Sequence, residues 1–148
     1  MVQTEQECGN GRNNWEGAMH SWDLMKHYLG NGVNEYYYWN TSLFEDKAST
    51  WGWHQNSLIT VKEEDKTYTW TPEYYTMKHA SHYVLPGAKY LNIAGSYSDA
   101  MAFVNKDGSI VVLAANQSEE NKPVTIKLEG KDQTVVLPAK SLNTFVLK

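Results

Sequence analysis

The chain has little of several features that would define a function class at once. It has one cysteine, Cys8, among 148 residues, which excludes an internal disulfide and a zinc site built from several cysteines. Lysine and arginine number 13 against 17 aspartate and glutamate residues, and the net charge of −4 offers no basic surface to nucleic acid. No run of about 18 apolar residues occurs, so the sequence predicts no membrane span and shows no signal peptide.

The chain is instead rich in aromatic residues, with 6 tryptophans, 10 tyrosines and 3 phenylalanines. Most of them lie between Trp15 and Tyr75. An aromatic ring offers a flat apolar face beside a polar edge, and this combination suits the C–H faces and hydroxyl rims of sugar rings. The same composition is also typical of an aromatic core or a protein interface, so composition alone leaves these alternatives open.

The first part of the chain predicts a strand, a helix and a second strand. Residues 1–5 are strand-like, and Asn13 and Asn14 offer an N-cap to a helix whose apolar residues follow the i, i+3, i+4, i+7 spacing from Trp15 onward. A Gly-Asn-Gly sequence at residues 30–32 ends this helix, and residues 33–39 favour a strand. The short connections indicate a β-α-β unit and therefore a parallel sheet.

Residues 41–71 form a long aromatic and polar segment, which predicts either a functional loop or small strands of its own. Pro72 then opens a helix that extends to about Val84, because proline is favoured in the first turn of a helix. The rest of the chain predicts an antiparallel β-sandwich with hairpin turns at residues 106–108 and 129–132. Its predicted strands are residues 90–96, 100–105, 109–116, 124–128, 133–137 and 144–147.

Two carboxylates, Glu5 and Glu7, lie at the end of the first predicted strand. Residues i and i+2 of a strand point to the same face, with Cα atoms about 6.6 Å apart. A carboxylate at the carboxyl end of a barrel strand is a typical catalytic position, and retaining glycosidases use two carboxylates. The alternative is a solvated pair at a strand end, and two acids on one strand approach a substrate from the same side.

The histidines give no metal site. His79 and His82 are three apart on the second predicted helix, a spacing that can bind metal, but the sequence offers no third ligand nearby. His20 and His27 are predicted to be structural. His54 lies in the aromatic segment, where contact with a polar substrate is plausible.

Four segments together resemble glycoside hydrolase family 30, which includes glucosylceramidase-like β-glucosidases, endo-β-1,6-glucanases and xylanases. They are TEQECG, YYYWNTSL, WGWHQNSLITV and PEYYTMKHASHYVLPGAKYL, beginning at Thr4, Tyr36, Trp51 and Pro72. Each motif alone is weak evidence, whereas four in the same order along the whole chain are specific.

The resemblance implies an α/β plus all-β fold. Residues 1–90 would be the last two β/α units of a TIM (β/α)8 barrel, and residues 91–148 an antiparallel β-sandwich side domain. A whole barrel takes about 250 residues. We therefore expect this chain to be the C-terminal portion of a larger enzyme: a fragment, a chain whose partner supplies the N-terminal part, or the product of a split or truncated gene.

The resemblance also implies site residues. Glu5 matches the catalytic nucleophile, and Trp39 matches a tryptophan that lines the sugar pocket. Trp51, Trp53, His54 and Asn56 fall in the loop that shapes the mouth of the cleft and are predicted to bind substrate. Glu7 matches neither catalytic acid, and the general acid/base of the family comes from a strand outside this chain. The resemblance implies no metal and no organic cofactor.

The sequence therefore predicts part of a retaining glycosidase that acts on β-linked glucosides or glucans, of the glucosylceramidase or β-1,6-glucanase type, and that is inactive alone. The resemblance favours a secreted or periplasmic location for the parent enzyme. The alternative is a non-catalytic carbohydrate-binding or interaction module, in which the aromatic segment is a platform and Glu5 is incidental.

Overall fold

Residues 1–5, 9–45 and 48–148 are described by a computed structural model, in which they form two compact units, Met1–Lys78 and His79–Lys148. Glu7 and Cys8, which the sequence singles out, lie outside the described residues. Each unit is organised around its own sheets, and the second helix continues across the division between them.

The first unit contains the predicted amphipathic helix, α1 (Trp15–Gly30). Asn14 is its N-cap, and its side chain accepts a hydrogen bond from the backbone N–H of Gly17 (3.0 Å). The helix is stabilised by burial of its apolar face, which contributes about 2 kcal/mol for each large side chain removed from water. The side chains that form this buried face are Ala18, Met19, Trp22 and Met25.

Two short strands flank this helix in the sequence, β1 (Val2–Gln3) and β2 (Glu35–Tyr36). They pair in parallel, with Val2 opposite Glu35 and Gln3 opposite Tyr36. The backbone N–H of Tyr37 extends the ladder by donating to the carbonyl of Gln3 (3.2 Å). The predicted β-α-β unit and its parallel pairing are confirmed.

Residues 41–71 contain small strands, one of the two outcomes that the sequence allows. The strands are β3 (Ser42–Phe44), β4 (Ile59–Lys62) and β5 (Thr67–Trp70). β3 is parallel to β4, and β4 pairs with β5 in an antiparallel hairpin. The helix α2 (Pro72–Tyr83) follows directly, and the side chain of Thr71 caps it by accepting from the N–H of Tyr74 (3.3 Å).

The second unit is built from antiparallel strands, as predicted. The strands are β6 (Lys89–Leu91), β7 (Ala100–Val104), β8 (Ile110–Asn116), β9 (Lys122–Leu128), β10 (Lys131–Leu137) and β11 (Ser141–Leu147). One sheet has the order β11-β8-β7-β6, and β9 and β10 form a separate hairpin. Met101, Val111 and Leu113 form its most deeply buried apolar core with Leu137 of β10.

The hairpin turns match the turn residues in the sequence. Glu129 and Gly130 join β9 to β10 with φ of 49° and 78°, a left-handed pair that glycine adopts without strain. Gly108 (φ 84°) closes the β7–β8 turn by donating its N–H to the carbonyl of Asn105 (3.0 Å). These turns fix the register of the strands that they connect.

The division between the two units falls after Lys78, within α2, whereas the sequence places a boundary after residue 90. The end of α2 and the following loop are held to the second unit by Asn105, which is buried. Its side chain accepts from the N–H of Leu85 (2.9 Å) and donates to the carbonyl of Tyr83 (3.0 Å). The assignment of the two segments to a barrel and a side domain stays a prediction.

The helices of the described residues are all too short or too polar to cross a membrane.

Candidate functional site

The candidate site starts at the carboxyl ends of β1 and β2. Glu5 follows β1 and is exposed, and Trp39 follows β2 with 48% of its surface exposed. Because the two strands are parallel neighbours, both residues follow the same edge of the sheet. The peptide bond between Trp39 and Asn40 is cis. An exposed carboxylate in this position can attack an electrophilic carbon. An exposed indole beside it can stack against the apolar face of a sugar ring.

The aromatic loop (residues 49–56) projects two indole rings into solvent. Trp51 is 78% exposed and Trp53 is 63% exposed, and their ring centroids lie 5.9 Å apart at 36°. A tight turn creates this pair, because Ser49 donates its N–H to the carbonyl of Trp53 (2.7 Å) and accepts the N–H of Gly52 on its own carbonyl (2.9 Å). Exposed aromatic pairs of this kind form platforms for flat ligands.

His54 is also exposed, and it forms a β-bridge with Ala48. Gly11 packs directly against it: a Cβ atom at Gly11 would lie 2.5 Å from the Cβ of His54. Gly11 also has a φ of 82°, which favours glycine. Residues 9–13, called the first loop below, therefore approach the aromatic loop closely at His54.

Asn56 differs from the other predicted site residues because it is buried, with 3% of its surface exposed. Its Oδ1 accepts the backbone N–H of Gly11 (2.7 Å), and its Nδ2 donates to Oε1 of Glu73 (2.6 Å). Both ends of its amide are thus engaged by the protein. The predicted contact of Asn56 with substrate stays a prediction, and the structure shows it joining the first loop to α2.

Further hydrogen bonds hold the same elements together. Asn13 accepts the N–H of Ser57 on its Oδ1 (2.9 Å) and donates from Nδ2 to the hydroxyl of Thr60 (3.2 Å). Asn40, next to Trp39, donates to Oε1 of Gln55 in the aromatic loop (2.9 Å). The segment after β2 is therefore attached to the aromatic loop. The first loop is attached to Ser57, which follows the aromatic loop, and to Thr60 in β4.

Glu73 is the functional candidate that sequence reasoning missed. It is the second residue of α2 and is completely buried. Its Oε2 has no hydrogen-bond partner among residues 1–5, 9–45 and 48–148. Burial raises the pKa of this carboxyl, and polar contacts with its own backbone N–H, Asn56 and Thr71 offset only part of the effect. In the sequence it looks like an ordinary first-turn acid, so only its non-local contacts distinguish it.

The described part of the chain brings no three histidine, cysteine, aspartate or glutamate side chains together as a group that could hold a metal ion. His79, which the sequence pairs with His82, shares a hydrogen bond between its Nδ1 and the hydroxyl of Thr144 in β11 (2.7 Å). Both residues belong to the second unit.

Residues 87–145 match the family model of the glycosyl hydrolase family 30 beta sandwich domain. Three solved structures have similar folds. They are SrfJ from Salmonella typhimurium (TM-score 0.86, 19% identity), the endo-β1,6-glucanase BT3312 (0.80, 21%) and the catalytic domain of a GH30 xylanase C from Talaromyces cellulolyticus (0.77, 19%).

These similarities cover 99%, 98% and 99% of this chain but only 34%, 35% and 40% of the three solved chains. The chain therefore spans between a third and two fifths of the length of these structures. The match of residues 87–145 to the beta sandwich domain of glycoside hydrolase family 30 agrees with the resemblance of the chain to the C-terminal portion of that family.

Proposed function

We propose that this chain is the C-terminal portion of a retaining glycoside hydrolase that acts on β-linked glucosides or glucans, with Glu5 as its nucleophile. The observation that carries the proposal is the pairing of β1 and β2 as parallel neighbours, with Glu5 and Trp39 directly after them. Catalytic residues of (β/α)8 enzymes lie at the carboxyl ends of several strands. The family match of the sandwich supports the same conclusion.

In this proposal residues 1–90 are the last two β/α units of a TIM barrel and residues 91–148 are the side domain. The remaining strands, with the general acid/base, come from N-terminal sequence that is either part of the same polypeptide or a separate chain. Two parallel strands have two open edges, and a closed barrel satisfies their backbone groups. This need for more sheet supports the barrel assignment.

The proposed reaction is a double displacement with retention. The Glu5 carboxylate attacks the anomeric carbon and forms a glycosyl ester, while the acid/base from the missing part gives its proton to the leaving oxygen. The same group then takes a proton from water, and the water oxygen displaces Glu5 from the anomeric carbon. The exposure of Glu5 leaves its carboxylate accessible for attack. The proposed reaction uses no metal or organic cofactor.

The substrate would be held by exposed aromatic side chains. Trp39 would stack against the sugar ring next to Glu5, while Trp51, Trp53 and His54 would contact sugar units at the mouth of the cleft. The proposed substrate is a β-linked glucoside or glucan, and one of the proteins with a similar fold is an endo-β1,6-glucanase. Asn56 would act indirectly, because its amide is engaged by Gly11 and Glu73.

Substitution of the nucleophile tests the proposal. In the enzyme assembled with its N-terminal part, Glu5→Gln should lower kcat on an aryl β-glucoside by about 10³-fold or more while KM changes little, because the nucleophile acts in the transition state. Glu16→Gln is the matched control, since Glu16 is an exposed glutamate in the first turn of α1. Turnover of Glu5→Gln at the wild-type rate would disprove the role of Glu5.

A non-catalytic carbohydrate-binding module is the second candidate, and the exposed Trp51–Trp53 pair favours it. Trp51→Ala or Trp53→Ala should weaken binding of a β-1,6-linked glucose disaccharide to this chain roughly tenfold, through the loss of about 1–1.5 kcal/mol of stacking. Calorimetric titration measures the change, and Tyr68→Ala is the control because Tyr68 is a similarly exposed aromatic in β5. A module would keep this binding without any hydrolysis, even in an assembly that contains the N-terminal part.

A further inference from the structure

We propose that Glu73 is a positioning residue: through Asn56 it fixes the first loop, which follows Glu5, against the aromatic loop. The inference rests on the proposed function, because positioning matters for catalysis only if Glu5 and the aromatic loop act on a sugar. Glu73 itself touches neither Glu5 nor the exposed indoles in any described contact. Its effect passes through one buried amide.

The chemistry of the carboxylate determines which way the Asn56 amide faces. Oε1 of Glu73 accepts a hydrogen bond when the group is ionised, and it also accepts when the proton lies on Oε2, so the Nδ2 of Asn56 faces it (2.6 Å). The carbonyl end, Oδ1, is then left to accept the N–H of Gly11 (2.7 Å). With the opposite orientation, an NH2 group would face the N–H of Gly11, and Gly11 would lose this hydrogen bond.

Glycines from two elements enclose the Asn56–Glu73 pair. A Cβ atom at Gly17 would lie 2.4 Å from Oε1 of Glu73 and 2.7 Å from Nδ2 of Asn56. A Cβ atom at Gly9 would lie 2.8 Å from Cγ of Asn56. α1 and the first loop therefore both approach the pair at closer range than any other residue type allows, which leaves the two side chains little freedom to rearrange.

The position of Glu73 is unfavourable for stability alone. Its side chain is completely buried, and Oε2 has no partner within the described ranges of the chain. An apolar side chain of similar volume avoids the desolvation of a carboxyl group and is often at least as stable. An acceptor at this position is useful because it sets the orientation of Asn56.

A second attachment of the first loop is independent of Glu73. The side chain of Asn13 accepts the N–H of Ser57 (2.9 Å) and donates to Thr60 (3.2 Å). Loss of the Glu73 acceptor should therefore release Gly11 while Ser57 stays attached. This difference separates a positioning role from a general loss of structure.

Amide hydrogen exchange of the 148-residue chain, followed by NMR, tests the inference. In Glu73→Met the Gly11 amide should exchange about tenfold faster or more, since it loses one hydrogen bond. Glu73→Gln keeps an acceptor for Asn56 and should retain the wild-type rate, as should Glu64→Met, which changes an exposed glutamate. The amides of Ser57 and Met25 should keep their protection in all variants.

An unchanged Gly11 rate in Glu73→Met would overturn the inference, as would a Glu73→Gln variant that releases Gly11 as fully as Glu73→Met does. If Glu73→Met does not fold, Gly17→Ala replaces it, because its Cβ displaces the same two polar atoms while both side chains remain. Gly11 should then be released in that variant, and continued protection would count against the inference.

Hydrolysis is measured in parallel on the enzyme assembled with its N-terminal part, and it separates this inference from the proposed function. Glu73→Met should lower kcat with little change in KM, and Glu73→Gln should restore kcat. If the Gly11 amide exchanges faster in Glu73→Met but no protein hydrolyses the substrate, wild type included, the role of Glu73 in attaching the loop is supported and the proposed catalytic function is disproved. If Glu73→Met hydrolyses the substrate at the wild-type rate although its Gly11 amide exchanges faster, the positioning role of Glu73 is disproved. The proposed role of Glu5 as nucleophile is not changed by that result.

Discussion

Two glutamates of the first unit lie in opposite surroundings. Glu5 is exposed after β1, where water can reach its carboxylate, whereas Glu73 is completely buried at the start of α2. The proposed nucleophile must be accessible to substrate, and the exposure of Glu5 meets this condition. Burial raises the pKa of Glu73, and the roles that we propose for the two acids differ accordingly.

The raised pKa of Glu73 predicts how stability depends on pH. The folded protein holds this proton more tightly than the unfolded chain, whose glutamate has a pKa near 4.5. The contribution of Glu73 to the free energy of unfolding is therefore fully present below that pKa, and it is lost as pH rises through the raised folded pKa. Urea unfolding of wild type and Glu73→Gln between roughly pH 4 and pH 8 measures it.

Glu73→Gln should be more stable than wild type at the upper end of this range, and the advantage should shrink toward the lower end. Glu64→Gln, an exposed change in the β4–β5 turn, should follow the wild-type curve throughout. If the curves of wild type and Glu73→Gln run parallel across the range, the pKa of Glu73 is not raised by folding.

At the scale of elements, local patterns in the sequence predict α1 well. Its apolar spacing, the Asn14 cap and the Gly-Asn-Gly stop are all local signals, and the helix runs from Trp15 to Gly30 as expected. Local residues likewise predict where α2 starts, at Pro72. They also predict the β7–β8 and β9–β10 turns. Local signals are reliable because they depend on backbone preferences rather than on distant contacts.

The small sheet and the buried network depend on non-local contacts, which the sequence pattern does not reveal. β3 pairs in parallel with β4 across a connection that includes the aromatic loop. Asn56 meets Glu73 and Gly11, residues far from it in sequence, and nothing in the local pattern distinguishes a buried asparagine from an exposed one. The motif resemblance singles out Asn56, whereas its burial and its two partners are visible only in the structure.

Gly17 gives a prediction that reverses the usual effect of glycine in a helix. Replacing an exposed helical glycine with alanine normally stabilises a protein by up to about 1 kcal/mol. At Gly17 the added Cβ meets the Asn56–Glu73 pair, so Gly17→Ala should destabilise the chain by about 1–3 kcal/mol in urea unfolding. Gly30→Ala, at the exposed end of the same helix, should be neutral or stabilising. Stabilisation by Gly17→Ala would show that the pair moves aside freely.

At the scale of the whole molecule, four motifs resemble glycoside hydrolase family 30, and residues 87–145 match the beta sandwich domain of that family. The antiparallel β-rich half follows from turn residues spaced along the chain. The two compact units divide after Lys78, and the sequence-based bounds of a barrel segment and a side domain stay a prediction. The barrel assignment rests on a parallel pair of two strands and remains a proposal.

The whole-molecule proposal also predicts the behaviour of the isolated chain. In this proposal the acid/base lies outside the chain, so the purified 148-residue protein should release no detectable product from aryl β-glucosides. Hydrolysis should appear only when the N-terminal part is present, and it should fall with Glu5→Gln but not with Glu16→Gln. Hydrolysis by the isolated chain that survives Glu5→Gln would require a different site.

The measurement that tests the central claim most directly is covalent trapping of the nucleophile. The assembled enzyme is treated with a 2-deoxy-2-fluoro-β-glucoside that carries a good leaving group, because such a reagent forms the glycosyl ester but hydrolyses slowly. Peptide mass spectrometry then locates the sugar. The account predicts a 2-fluoroglucosyl ester on Glu5 together with loss of activity. Inactivation with the sugar on any other carboxylate would contradict it.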